Sequence, residues 1–370
     1  MIKIIHILED FSYASGGVRT TVKSLNNKLN ENGFISKILS PFYEEGDECV
    51  VEFSDQKKNP WNYSKRFIKN LRNLKENDNI DILHIHGAWM HQQYFSAKFA
   101  IKNNIPFIIT FHGMYEPWLW EQKFLKKKIY SSFLTNTKFS KATAIHAITL
   151  SEKKNLKKIF PRTKIFEIPN LIDTSNYKEK ELQSTNFKNK NKRYILFVGR
   201  LHLVKGIDLL LNALSLIQDS NIKLKIAGPK SDYLSELKNK ANSLNIEHRV
   251  EFLGRVNGKE KNLLYKNSTV FVAPSYSEVI GMVNIEAALQ EVPVITTYAT
   301  GIKKEWSNNG GELINPNTKE LVDALDRILN LSDVEREYNG KKLKSFVEKN
   351  YSWKSRFNEW NNIYKSLLPK

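Results

Sequence analysis

Between Pro274 and Ala287 the chain reads PSYSEVIGMVNIEA, with Glu278 and Glu286 eight positions apart among mostly apolar neighbours. An ionised carboxylate only accepts hydrogen bonds, so a pair of them at a binding edge suits a ligand rich in hydroxyls. One acid could face a sugar and the other a ribose; the plainer reading is two acids on an exposed helix surface. Upstream, the loop Gly199-Arg200-Leu201-His202-Leu203-Val204-Lys205-Gly206 carries two cations. Arginine grips phosphate through a bidentate fork and lysine adds a compact point charge. Hydrogen bonds to charged groups contribute about 1.5–3 kcal/mol each, enough for two cations to hold a diphosphate leaving group without a metal. Ordinary surface charges on a solvated loop are the alternative.

Three further groups carry weaker signals. Ser15-Gly16-Gly17 precedes a helix that starts near Val18. Glycines there let backbone N–H groups approach an anion, which the helix N-terminus also favours. Many such pairs are simply turns, and the full G-x-G-x-x-G fingerprint is absent. His112 closes the apolar run FIITFHG and should reach over the strand's end, although a lone histidine is more often structural. His84 and His86 alternate along a strand and could form a metal pair with His91, but no nearby carboxylate or cysteine completes a zinc site. There is no Asp-x-Asp pair of the kind that suggests a metal-dependent nucleotide-sugar site, and no G-x-x-x-x-G-K-[ST] loop.

The elements that must position these residues come in two series. KIIHIL, IDILHIHG and IPFIITFHG read as strands, each followed by helical spacing such as VRTTVKSLNNKLNENG and MHQQYFSAKFAIKNN. Continuous apolar strands alternating with helices imply a parallel sheet covered on both faces. The polar stretch KEKELQSTNFKNKNKR interrupts this, and then YILFVGR, IKLKIAG, VEFLGR, TVFVAPS and VPVITT restart it. The expectation is α/β: two Rossmann-like doubly wound domains, residues 1–175 and 193–350, joined by a linker at 176–192. Ligands are expected at the carboxyl ends of the strands and in a cleft between the domains.

Composition sets the outer limits. A chain of 370 residues is long for one core. A single cysteine, Cys49, rules out an intrachain disulfide and suits a reducing compartment. No segment approaches the roughly 20 apolar residues needed to span a bilayer, so a cytoplasmic protein is expected. The net charge of +18 is partly local, because Lys123–Lys164 holds twelve Lys/Arg against one acid, Glu152. An anionic membrane or a polyanionic substrate fits that excess; nucleic acid does not, since no zinc spacing or RNP-like aromatic motif accompanies it.

Taken together, SGG, FHG, VGRL with VKG, Ile168-Pro169-Asn170 and the E-x7-E of PSYSEVIGMVNIEA resemble a retaining glycosyltransferase of family 4 with the GT-B fold, over nearly the whole length. HGMYEPW also resembles the HGM-x-x-PW block of members that build bacterial surface polysaccharides. The resemblance implies that Gly16 and Gly17 approach the donor diphosphate or the acceptor, and that His112 contacts the donor sugar. It places Arg200 and Lys205 on the diphosphate, Glu278 on sugar hydroxyls and Glu286 on the ribose, with Gly281, Met282 and Val283 completing the donor site. It implies a UDP- or GDP-linked sugar donor, a glycan or lipid-linked acceptor, no metal and no other cofactor. The segment YSWKSRFNEWNNIYKSLL, residues 351–370 with its tail, resembles a last helix that crosses back to the first domain.

Departures from the family pattern sit at Val279 and Ile280, Thr300, Leu171 and Glu291, where glycine or E-G-F-G is common; the first two put the identity of the sugar in question. The aromatic and basic stretch from Pro117-Trp118-Leu119-Trp120 to Lys126-Lys127-Lys128 suits docking to anionic lipid headgroups. The alternatives on the same scaffold are a nucleotide-sugar epimerase or hydrolase, or a non-catalytic subunit of a transferase complex.

Overall fold

The structure, a computed structural model, describes residues 1–53, 59–116, 130, 136–177 and 193–368. It divides into one unit of Met1–Leu171 with Arg356–Lys370 and a second of Ile172–Ser355.

In chain order the first unit contains β1 (Lys3–Ile7), α1 (Gly17–Glu31), β2 (Ile35–Leu39), α2 (Lys65–Asp78), β3 (Ile82–His86) and α3 (His91–Lys102). There follow β4 (Phe107–Thr110), the short α4 (Asn136–Phe139), β5 (Ala144–Ala147), α5 (Leu150–Ile159) and β6 (Ile165–Glu167). The six strands form a parallel sheet of order β2-β1-β3-β4-β5-β6. Its central strands are buried throughout, as covering helices on both faces require. One face feeds a core containing Leu83, Ile85, Ile109, Ile145, Phe111 and Phe139.

The opposite face of this sheet is polar. Register pairs His6 with His84, His86 with Thr110, and Thr110 with His146. The last helix, α12 (Trp353–Ser366) as numbered after the second unit's helices, lies over that face. The Trp360 ring stands 4.5 Å from His146 and 5.6 Å from His84, and Tyr364 is fully buried against His84.

The second unit runs β7 (Tyr194–Val198), α6 (Ile207–Leu216), β8 (Lys223–Ala227), α7 (Tyr233–Ser243), β9 (Val250–Gly254) and α8 (Gly258–Asn267). It continues with β10 (Val270–Ala273), α9 (Met282–Leu289), β11 (Val294–Thr297), β12 (Glu312–Ile314), α10 (Thr318–Leu329) and α11 (Asp333–Tyr351). The sheet is again parallel, with order β12-β11-β10-β7-β8-β9. Chain order therefore reverses between β7 and β10, which opens a crevice at their carboxyl ends. The expected pair of doubly wound α/β sheets is borne out. The expected linker lies almost wholly outside the described residues, as do Trp118, Trp120 and Lys123 to Lys128.

Candidate active site

The second unit's crevice collects the charged residues. Gly199 and Arg200 follow β7, and Arg200 is exposed with no ion pair among the described residues. Lys205 ends a single 3-10 turn, Leu203–Lys205, and is followed by Gly206 at φ +67°. An added Cβ at Gly206 would overlap the Pro274 carbonyl, so only glycine lets the loop pass this close to the end of β10. Tyr276 N–H donates to Val204 O at 2.9 Å and Glu278 N–H to Ala299 O at 3.2 Å, tying three strand-end loops together. The result is an ion pair between Lys205 Nζ and Glu278 Oε2.

Glu278 and Glu286 do not share one helix. Glu278 lies in the loop after β10; the chain then turns at Gly281, φ +67°, which caps α9. Met282 and Val283 open that helix, both partly accessible, and Glu286 stands in its second turn. From α8, Lys261 Nζ (2.9 Å) and the Tyr265 hydroxyl (3.1 Å) both reach Glu286 Oε2, leaving Oε1 without a hydrogen bond among the described residues. Burial, and then the Glu286 charge, push the Tyr265 and Tyr177 phenols above their usual range. Both therefore stay protonated.

In the first unit the glycine pair precedes α1. Gly16 has φ +59° and ψ −121°, a conformation open to glycine, and it is the N-cap of α1. Gly17 has an ordinary φ and open space around the place of a Cβ, so neither backbone nor packing calls for a glycine there. Arg19 pins the turn, donating to Phe11 O at 2.9 Å and to Asp47 Oδ2 at 2.8 Å. His112 does not end a strand: β4 stops at Thr110, and His112 sits in the following turn with φ +53°. Its Nε2 is 3.0 Å from His86 Nδ1. The next N–H, on Gly113, donates to Glu152 Oε1 at 2.7 Å, and Glu152 Oε2 accepts from Ile148 N–H at 2.7 Å.

Residues 15–176 match the model described as Glycosyltransferase Family 4, and residues 178–353 that described as Glycosyl transferases group 1. The chain is a glycosyltransferase, its first half matching one of these models and its second half the other. A Klebsiella pneumoniae relative described as an uncharacterized 41.2 kDa protein in the cps region is 26% identical over 98% of this chain and 99% of its own length. The O-antigen chain mannosyltransferase RfbU of Salmonella typhimurium is 25% identical over 62% of this chain and 63% of its own length. The crystal structure of the Anabaena protein HepE with UDP and glucose superposes with a TM-score of 0.78, at 16% identity, covering 99% of this chain and 100% of that one. The transferase thus has the GT-B fold and relatives linked to polysaccharides.

Several residues around the transferase's candidate sites carried no readable signal. Lys261 and Tyr265 lie on a helix surface pattern that says nothing of Glu286. Glu152 stood out in the sequence only as the one acid of the basic 123–164 stretch; Thr149 caps its helix, accepting from Glu152 N–H at 3.0 Å. Its carboxyl, 1% exposed, goes elsewhere, to the His112 turn, and burial raises its pKa to about 7. The histidine spacing was informative in a different sense from the metal reading. His91 packs on Trp61 and Tyr63, away from the group. His6 instead joins His84 and His86, with ring nitrogens within 4.8 Å of one another. Those nitrogens are largely spent on hydrogen bonds. His84 uses Nδ1 with the Tyr364 hydroxyl and Nε2 with Thr110 Oγ1, both at 2.7 Å; His86 uses Nε2 with His6 and Nδ1 with His112.

Proposed function

We propose that the transferase moves a sugar from a nucleotide diphosphate sugar to a glycan or lipid-linked acceptor in the assembly of a bacterial surface polysaccharide, with retention and without a metal. The observation that carries this reading is the placement of Arg200, Lys205, Glu278 and Glu286 around the β7/β10 switch point, where a doubly wound sheet binds nucleotides. The cps-region relative, the O-antigen mannosyltransferase and the UDP-bound structure support the choice of substrate class.

In this reading Arg200 and Lys205 take the diphosphate and stabilise the charge that grows on it as the glycosidic bond breaks. Glu278 exchanges its lysine for sugar hydroxyls. Glu286, oriented through Oε2 by Lys261 and Tyr265, offers Oε1 to the ribose. Gly17 leaves room beside the N-terminus of α1 for an anionic group to approach. Neither glutamate serves as a covalent nucleophile, and the departing diphosphate takes the acceptor's proton. Among the described residues no helix is long and apolar enough to cross a membrane; anchoring to anionic lipid rests on the sequence of the 117–128 stretch alone.

Thermal-shift titration against UDP, GDP and ADP tests the reading, with Glu286→Ala and Arg200→Ala alongside. Stabilisation by one nucleotide, lost in both variants, is the expected result. No shift in a folded wild type overturns it.

A further inference from the structure

Two hydrogen-bonded chains run through the buried histidines of the first unit, and they can be followed proton by proton. A neutral imidazole has one donor nitrogen and one acceptor, so fixing one end of a chain fixes the rest. The first chain ends on a carbonyl: His146 Nε2 lies 2.7 Å from Ile168 O and must donate. His146 Nδ1 therefore accepts from the Thr110 hydroxyl at 2.9 Å, Thr110 Oγ1 accepts from His84 Nε2–H, and His84 Nδ1 accepts from Tyr364 O–H. Every group in this chain is satisfied.

The second chain runs His6–His86–His112, through contacts of 2.9 and 3.0 Å. Its inner end is His6 Nε2, fully buried and without a hydrogen-bond partner among the described residues. If His112 donated inwards, each ring would pass a donor along and His6 would hold an orphaned N–H. If His6 Nδ1–H donates outwards to His86 Nε2, and His86 Nδ1–H to His112 Nε2, only a lone pair is left bare. Orphaned buried N–H groups are the rarer and costlier of the two.

We infer that His6 and His86 are positioning residues that hold His112 in its Nδ1–H tautomer, so that the turn after β4 presents a hydrogen-bond donor to a ligand oxygen. His112 is the partly accessible member of the chain, and its Nδ1 has no hydrogen bond among the described residues. The Gly113–Glu152 bond holds the same turn from its backbone side. A ring in this state cannot act as a base through Nδ1. It recognises a hydroxyl or phosphate oxygen instead. That the oxygen belongs to a sugar nucleotide rests on the function proposed above; the tautomer does not.

Two-bond 1H–15N spectra of the full chain labelled with 15N-histidine read the tautomers directly, with the eight histidines assigned by single substitutions. The expected result is a protonated Nδ1 and a bare Nε2 on His6, His86 and His112, and the opposite tautomer on His84 and His146. An Nε2–H signal from His112 in the wild type overturns the inference. His6→Leu removes the donor and should release His86 and His112 into the Nε2–H form. His6→Asn, whose amide can place an N–H near the position of Nδ1, should restore the wild-type state at His112. Unchanged His112 signals in a folded His6→Leu protein also overturn the inference. Thermal shifts with UDP and GDP on the same samples separate the two claims: absent nucleotide binding with the expected tautomers counts against the proposed function alone.

Discussion

Lowering the pH from 7 to 5 should destabilise the first unit while the second holds. His6, His84, His86 and His146 are at most 3% exposed, and burial lowers all four: His6 to about 3, His146 to about 4, the other two well below the ordinary value. In the unfolded chain each titrates near 6.5. These histidines therefore stabilise the fold fully above that pH, and the contribution is lost as the pH falls towards their folded values. At pH 5.5 the unfolded state binds about 0.9 proton more per histidine, or about 3.6 for four. Glu152 acts in the opposite sense. Its folded pKa of about 7 exceeds its unfolded value, so its contribution is complete below about 4.5 and lost as the pH rises through 7. It returns about 0.9 proton, leaving a net uptake near 2.7 and a slope of roughly 3–4 kcal/mol per pH unit. The slope is shallower near pH 7, so the loss summed from pH 7 to 5 is about 5 kcal/mol, comparable to the lower end of a domain stability of about 5–15 kcal/mol.

The second unit is an internal control, because its two histidines, His202 and His248, are exposed. Hydrogen exchange of the intact chain between pH 7.5 and 5, corrected for the intrinsic rate, gives opening free energies for β3, β4 and β5 beside those for β7, β8 and β10. The first set should fall steeply below pH 6.5 and the second should not. Parallel declines, within about 1 kcal/mol from pH 7 to 5.5, would show that the histidine face is protonated without unfolding and refute the reasoning.

Tyr364→Phe removes the hydroxyl that donates to His84 Nδ1 with almost no change of volume, and should cost about 1–3 kcal/mol in chemical denaturation; a neutral effect would contradict the chain ending at Ile168. Gly206→Ala drives a Cβ into the Pro274 carbonyl at a positive φ, and should cost about 2–4 kcal/mol and weaken nucleotide binding in a titration; full binding would mean the loop adjusts freely. Glu291 holds φ +61°, with its side chain paired to Lys344 at 2.7 Å. Glu291→Gly and Glu291→Ala lose the same pair, so the glycine variant should be more stable by about 1 kcal/mol in thermal unfolding, and equal values would argue against strain there.

The architecture was legible because parallel strands covered on both faces must be continuously apolar, and ILHIH, FIIT, YILFV and VFVA read that way. What the runs concealed was which face each member takes. His84 and His86 looked like a metal pair because their alternation places them on one face. Only register adds His6 from the first strand and Thr110 from the fourth, and only the last helix covers them. The charges at the β7/β10 edge were legible as types, since arginine, lysine and glutamate after buried strands have few structural reasons to be there. Their partners were not. That Lys205 meets Glu278 depends on a glycine passing a carbonyl 68 residues away, at Pro274, and that Lys261 meets Glu286 depends on α8 lying beside α9.

The two edges store their charge differently, and this bears on what each can do. In the second unit Lys205 and Glu278 are partly exposed, and so are Lys261 and Glu286. A charge-assisted hydrogen bond to a ligand contributes about 1.5–3 kcal/mol, so a ligand that meets both partners of such a pair leaves neither charge unpaired. Exchanging Glu278 for a phosphate on Lys205, and Lys205 for a hydroxyl on Glu278, therefore costs little and gains on both sides. Along the histidine face of the first unit the charge has been removed: burial keeps the histidines neutral, and their hydrogen bonds lock one another. Such a site cannot be rearranged cheaply by a ligand, but it needs no rearrangement to present one fixed donor. An exchangeable ionic edge suits a ligand that must leave as a charged product, and a rigid neutral one suits a ligand oxygen whose orientation must be fixed.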